Sequence, residues 1–152
     1  MKAPLTFLLK LWERMPVAEG NNSLGKVFIM TNRLILIGGV NALLAILLGG
    51  FATHALKAHV TPDMLEVFKT GVTYHTTHAL AMILVGLISE RHPQPEYHRA
   101  AALFQAGIVL FSGSLYAMAI SGLKTLGMIT PIGGMCYIIG WILFIVAAKK
   151  ST

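Results

Sequence analysis

The sequence predicts an all-α, polytopic membrane protein: a four-helix transmembrane bundle with up-down topology. Hydrophobic residues make up 55% of the 152-residue chain and charged residues only 12%, about half the charged share of a typical soluble domain. The apolar residues fall into four charge-free stretches, each near the roughly 20 residues that a helix needs to cross a bilayer. Because the connections between them are short, consecutive helices must be antiparallel neighbours.

The four predicted spans cover residues 34–53, 70–89, 100–123 and 125–148. Thr61 and Pro62 precede the second span and suit a helix N-cap and a first helical position, so this helix is expected to begin near Pro62. In the fourth span, Pro131 would free the carbonyl of Gly127 from its helical partner. The sequence therefore predicts a kink or a short unwound segment at that point.

The domain organisation is predicted to be an N-terminal extension, residues 1–29, followed by one transmembrane domain, residues 30–152. Within the extension, Leu5, Leu8, Leu9 and Trp12 recur at helical spacing, which is typical of a helix lying in the membrane interface. The alternative is a flexible extension, with Met30 as the start of the native product. Both interpretations stay open at the level of sequence.

The distribution of basic residues predicts the orientation in the membrane. An even number of spans places nine of the twelve Lys and Arg residues on the side of the termini, and the positive-inside rule then puts both termini in the cytoplasm. We therefore expect a multi-pass protein of the bacterial cytoplasmic, or inner, membrane. The other side carries only Lys57, Lys69 and Lys124.

The expected partners are the lipid bilayer and either further copies of the chain or a larger membrane complex. The net charge of +6 does not indicate a nucleic-acid partner, because the basic residues are scattered between apolar runs and form no basic face.

Polar residues gather at the extracytoplasmic end of the predicted spans. The first span ends there and the second begins there, and the same holds for the third and fourth spans. At 1.5 Å per residue these side chains lie within about 15 Å of that membrane edge, with one serine slightly deeper. The candidate site comprises His54, Tyr74, His75, His78, Ser112, Ser114, Tyr116, Thr130 and Pro131.

Three interpretations of this cluster compete. The first is a set of neutral imidazoles that join helices through hydrogen bonds, as in a structural or accessory membrane protein. The second is a small transporter or channel-like protein for protons or a polar solute, centred on His75 and His78. The third is a haem or metal site with His54, His75 and His78 as ligands.

No catalytic residue, metal ligand or resident cofactor is predicted, and we expect the protein not to be an enzyme. Cys136 is the only cysteine, which excludes a zinc site built on paired cysteines. No carboxylate lies within a predicted span, so carboxylate-based acid–base catalysis within the membrane is excluded.

Four ordered motifs resemble the YgdD-like family of small inner-membrane proteins. They read GGFATHALK at 49–57, GVTYHTTHALA at 71–81, LFSGSLY at 110–116 and TPIGG at 130–134. The resemblance covers about residues 30–148 and implies a four-span fold in the inner membrane, with no known activity.

The family motifs also bear on individual site residues. The family motifs have the same residue types at the positions of His54, Tyr74 and His78. This sequence differs at two positions, with Ala52 where the family has glycine and His75 where it has glutamine. A glutamine is a poor haem ligand, so this departure disfavours a cofactor site that depends on His75.

Overall fold

The computed structural model describes the backbone of residues 23–151 and the side chains of residues 32–151. Within that range it contains no strand and four long helices: α1 Ser23–His54, α2 Pro62–Arg91, α3 Pro95–Ser121 and α4 Thr130–Lys150. Each helix is long and apolar enough to cross a membrane. The predicted four-helix membrane fold is confirmed, and the amphipathic pattern in residues 1–22 lies outside the described residues.

The ends of the helices follow from local chemistry. The Thr61 hydroxyl accepts a hydrogen bond from the Met64 N–H at 3.4 Å, and Pro62 occupies the first turn of α2, as expected. A short 3-10 helix, Leu56–Ala58, connects α1 to α2. Helix α3 ends at Gly122, whose φ of 72° lies in the left-handed region that glycine adopts without steric cost.

The start of α4 corrects the sequence interpretation. A 3-10 helix, Lys124–Met128, follows α3, and α4 then begins at Thr130. Pro131 therefore lies in the first turn of α4. Backbone N–H groups in that turn have no acceptor within the helix, so the N–H that proline lacks costs no helical hydrogen bond. Of the two predicted forms, the structure has no kink within a continuous helix, because the proline starts α4. It does have a short segment that is not α-helical just before the proline, the 3-10 helix Lys124–Met128.

A π-helical segment, Ile108–Ser112, interrupts α3 near its middle. Such segments occur mostly as single wide turns within α-helices and are frequent at functional sites. Here the wide turn presents the backbone of Phe111 to Gly133 of α4, and the two backbones approach so closely that a side chain at Gly133 would collide with the Phe111 N–H. The segment thus sets the closest contact between α3 and α4.

Helices α2 and α3 form the centre of the bundle. Helix α1 packs mainly against α2, and α4 packs mainly against α3. The outer faces of α1 and α4 expose rows of large aliphatic side chains, which suits contact with lipid. The largest fully buried side chains are Phe68, Met82, Val85, Tyr97 and Phe104.

An ion pair joins the N-terminal turn of α3 to the C-terminal turn of α4. Lys150 Nζ donates to Glu96 Oε1, and the Glu96 side chain is largely buried while that of Lys150 is half exposed. The carboxylate also lies at a helix N-terminus, where negative charge is favoured. These contacts hold the two helix ends together on the side of the termini.

Candidate functional site

The polar residues at the centre of the bundle form two separate networks and do not form one cluster. His75 and His78 are both buried on α2, but their rings meet different helices. His75 bonds to residues of α1 and α3, whereas His78 bonds to its own helix and to α4. The site predicted from the sequence therefore divides between these two histidines.

The first network links three helices through His75. His75 Nε2 lies 3.1 Å from Asn41 Oδ1 on α1, and His75 Nδ1 lies 3.2 Å from the Tyr116 hydroxyl on α3. Asn41 Nδ2 donates to Gln105 Oε1 on α3 and to the Ile37 carbonyl on α1, both at 2.8 Å. A continuous chain of hydrogen bonds thus runs from Gln105 to Tyr116.

These bonds determine the tautomer of neutral His75. Both hydrogens of the Asn41 amide nitrogen are used, so the Asn41 oxygen acts as an acceptor and His75 Nε2 must donate to it. The other nitrogen, Nδ1, then accepts from the Tyr116 hydroxyl. His75 is therefore protonated on Nε2 and has no free ring nitrogen.

The second network holds His78 in the opposite tautomer. His78 Nδ1 lies 2.8 Å from the Tyr74 carbonyl, which can only accept, so Nδ1 carries the hydrogen. His78 Nε2 accepts from the indole N–H of Trp141 at 3.2 Å. Both ring nitrogens are again used within the protein, which leaves none to ligate a metal or haem.

Aromatic rings enclose His78. Its imidazole stacks on the ring of Tyr137, with centroids 3.5 Å apart and planes within 12°. Phe104 of α3 lies against another side of the imidazole, with a centroid distance of 5.3 Å. The Tyr137 hydroxyl lies 3.4 Å from the hydroxyl of fully buried Ser112, in the π-helical segment. Helices α2, α3 and α4 therefore meet around this imidazole.

A third polar contact joins the second half of α3 to the start of α4. Ser114 Oγ donates to the Phe111 carbonyl at 2.9 Å and lies 2.8 Å from Thr130 Oγ1. A hydroxyl can donate only one hydrogen, so Thr130 donates to Ser114 in this arrangement. The neighbouring residue, Pro131, is exposed and makes no polar contact of this kind.

Two predicted site residues contribute no side-chain hydrogen bond to these networks. His54 is exposed at the end of α1. Tyr74 contributes its carbonyl to His78, while its half-exposed ring packs against Phe111 and stacks near Tyr137. Within residues 32–151, no three His, Cys, Asp or Glu side chains are arranged to hold a metal ion.

The candidate site predicted from the sequence omits four residues that complete the networks: Asn41, Gln105, Tyr137 and Trp141. The two amides do carry a sequence signal, because an uncharged polar residue within an apolar span usually faces another helix. The two aromatic residues gave no comparable signal. Tyrosine and tryptophan are enriched at membrane interfaces, and only packing shows that these two face an imidazole.

A groove on the membrane-facing side runs between α1 and α3, which both pack against α2. One part, of about 550 Å³, is lined by residues of the first network, including Asn41, His75 and Tyr116. A second part, of about 320 Å³, extends toward the side of the termini and is lined by Arg33 and His98. Gln105 lines both parts and marks the boundary between them.

The comparison with known families agrees with this architecture. Residues 48–134, more than half of the chain, match a family model described as "Protein of unknown function (DUF423)". The chain belongs to this family. The matched segment includes all of α2 and α3 and the π-helical segment between the two halves of α3.

Relatives within the DUF423 family are bacterial membrane proteins by name. The chain is 44% identical over 117 residues to "UPF0382 membrane protein YwdK" of Bacillus subtilis (strain 168), covering 76% of this chain and 95% of the relative. It is 40% identical over 116 residues to "UPF0382 membrane protein SAB0533" of Staphylococcus aureus (strain bovine RF122 / ET3-1), covering 76% and 94%. No solved structure matches the chain. The family membership expected from the four motifs is confirmed.

Proposed function

We propose that this DUF423 protein is a structural or accessory protein of the bacterial cytoplasmic membrane, in which the polar networks fix the arrangement of the four helices. The observation that supports this role is the state of the two buried histidines. All four of their ring nitrogens are hydrogen-bonded to other groups of the protein, so neither imidazole is left to bind a substrate.

Membrane energetics favour such a role for polar side chains. Apolar contacts between helices gain little over contacts with lipid, so close packing and interhelical hydrogen bonds determine which helices associate. Asn41 and Tyr116 bring α1 and α3 to His75, and Trp141 brings α4 to His78. Together the two histidines connect all four helices, which suits a rigid platform for other membrane components.

The second candidate function is a small transporter or channel-like protein for protons or a small polar solute. It is favoured by the continuous hydrogen-bond chain of the first network. Gln105 and Tyr116 are eleven positions apart on α3, so their backbone positions lie about 16 Å apart along the helix axis, and the side chains of Asn41 and His75 bridge the space between their polar ends. Two of its four members are amides, which have no proton to release near neutral pH. The chain therefore supports helix association better than proton conduction.

The test uses two substitutions at His75 in the full-length protein. Glutamine can donate to Asn41 and accept from Tyr116, whereas leucine leaves both partners unpaired. We expect His75→Leu to destabilise the protein by about 1 kcal/mol in detergent unfolding, and His75→Gln to retain most of the stability. Liposomes that contain the wild-type protein and an internal pH-sensitive dye should show no proton leak above that of empty liposomes.

One result would reverse the order of the two candidates. A proton flux in wild-type liposomes that His75→Gln abolishes, while the variant unfolds at the wild-type midpoint, would identify a transporter. Loss of stability in His75→Leu without any flux in either variant supports the structural role.

A further inference from the structure

The part of the groove nearer the termini has the features of a ligand site. Its volume of about 320 Å³ lies within the usual range for small-molecule sites. The walls are apolar, from Leu34 and Ile37 on α1 and Ala101 and Ala102 on α3, and Met82 of α2 forms part of the lining. Such walls fit a hydrocarbon chain.

Arg33 and His98 make the open end of this part of the groove cationic and polar. Arg33 is exposed and has no carboxylate partner within residues 32–151. His98 Nδ1 is fully buried, yet no group in the same range bonds to it. A buried polar atom without a partner calls for a bound molecule or water that completes its hydrogen bonding.

Among residues 32–151, the acidic side chains near this end do not neutralise Arg33. None lines this part of the groove, and Glu96, two positions before His98, is paired with Lys150. The open end therefore combines an apolar channel with a positive charge that has no carboxylate partner among residues 32–151.

We propose that this part of the groove binds one anionic phospholipid from the leaflet on the side of the termini. The phosphate group accepts hydrogen bonds from Arg33 at the open end, next to the His98 side chain, and one acyl chain lies between α1 and α3 toward Gln105. Arginine binds phosphate through paired hydrogen bonds, and basic pockets between transmembrane helices are known receptors for anionic head groups. The site does not depend on the function proposed above, because it uses neither His75 nor His78.

A second copy of the chain fits the groove less well than a lipid does. A transmembrane helix of another copy would bring apolar side chains to Arg33 and His98 and would leave both without partners. A phospholipid supplies both an anionic group for Arg33 and an apolar chain for the walls of the groove. The occupant that satisfies both ends is therefore the lipid.

The experiment measures lipid retention by the full-length protein with native mass spectrometry, in detergent supplemented with phosphatidylglycerol or with phosphatidylcholine of the same chains. We expect one phosphatidylglycerol per protein and weaker retention of phosphatidylcholine. Arg33→Gln should weaken phosphatidylglycerol binding about fivefold, the effect expected for one basic residue at an anionic surface. Ala102→Phe, which fills the exposed wall of the groove, should abolish retention.

Two matched variants serve as controls. Arg91→Gln removes an exposed arginine at the end of α2 on the same side of the membrane, and Ala117→Phe adds the same ring to an exposed site on α3 outside the groove. Both should bind phosphatidylglycerol as the wild type does.

Four results would overturn the proposal. Equal retention of the two phospholipids, or equal losses for Arg33→Gln and Arg91→Gln, would show nonspecific binding. A lipid-free dimer that Ala102→Phe dissociates would show that a second copy fills the groove. Stabilisation by inorganic phosphate alone, equal to that by phosphatidylglycerol, would show an anion site without a lipid chain.

Discussion

His75 and His78 illustrate how two identical residues three positions apart take different chemical forms. The carbonyl of Tyr74 accepts from His78 Nδ1, while the amide oxygen of Asn41 accepts from His75 Nε2. Each ring is therefore held in one neutral tautomer by its neighbours. The sequence shows the two histidines but not this difference, because the partners come from other helices and from the backbone.

The tautomers can be observed directly. Nitrogen-15 magnetic resonance of the histidine-labelled protein in lipid should show His75 protonated on Nε2 and His78 protonated on Nδ1. Trp141→Phe removes the donor to His78 Nε2 and should shift that nitrogen's resonance while leaving both nitrogens of His75 unchanged. The same tautomer for both histidines would contradict the two-network arrangement.

At the scale of elements, the contact between the π-helical segment of α3 and the start of α4 is the tightest backbone approach described. A methyl group added at Gly133 would meet the backbone of Phe111, whereas one added at Gly134 would lie 3.7 Å from the Phe111 ring. Two adjacent glycines thus differ in what an added methyl group would meet.

We expect Gly133→Ala to destabilise the protein by about 1–3 kcal/mol, because the new methyl group would force α4 away from the Phe111 backbone. Gly134→Ala is the matched control, since its methyl group makes only an ordinary van der Waals contact. Unfolding in detergent, followed by circular dichroism, measures both. If both variants lost the same free energy of unfolding, the close contact of Gly133 with the Phe111 backbone would not restrict the size of the residue at position 133.

Pro131 allows a test of where α4 begins. A proline in the first turn stabilises mainly by restricting the unfolded chain, so Pro131→Ala should cost about 0.4–1 kcal/mol. Ile138→Pro, placed within α4, should cost about 3 kcal/mol or more. The same unfolding assay compares the two variants. A loss of unfolding free energy in Pro131→Ala as large as that in Ile138→Pro would contradict the start of α4 at Thr130.

Much of the architecture could be predicted from the sequence, because a charge-free run of about 20 residues has few alternatives to a membrane-spanning helix. The start of α2 could also be predicted, since Thr61 and Pro62 act locally. The π-helical segment and the start of α4 could not be. Both depend on how closely α3 and α4 approach, which is a property of two helices together.

The predicted site divides into separate networks for a related reason. Ordering residues by depth in the membrane placed His54, His75 and His78 at one end, but depth does not show which way a side chain faces around its helix. His54 proved exposed, and the other two histidines face different neighbours. Rotation around each helix axis was the missing information.

For the whole molecule, the distribution of basic residues predicts the orientation across the membrane. In a Cys136→Ala background, a membrane-impermeant maleimide added to intact spheroplasts should label Lys57→Cys, between α1 and α2. It should label Arg91→Cys, between α2 and α3, only after lysis. The reverse pattern would place the termini outside the cytoplasm and would contradict the positive-inside assignment.

The ion pair between Glu96 and Lys150 has a consequence for the order of biogenesis. During synthesis, α3 enters the membrane with Glu96 at its boundary before Lys150 has left the ribosome. Until then the Glu96 carboxylate is stabilised by the N-terminus of α3 and has not yet met Lys150. The contact that joins these two helix ends therefore forms only once the last helix has been inserted.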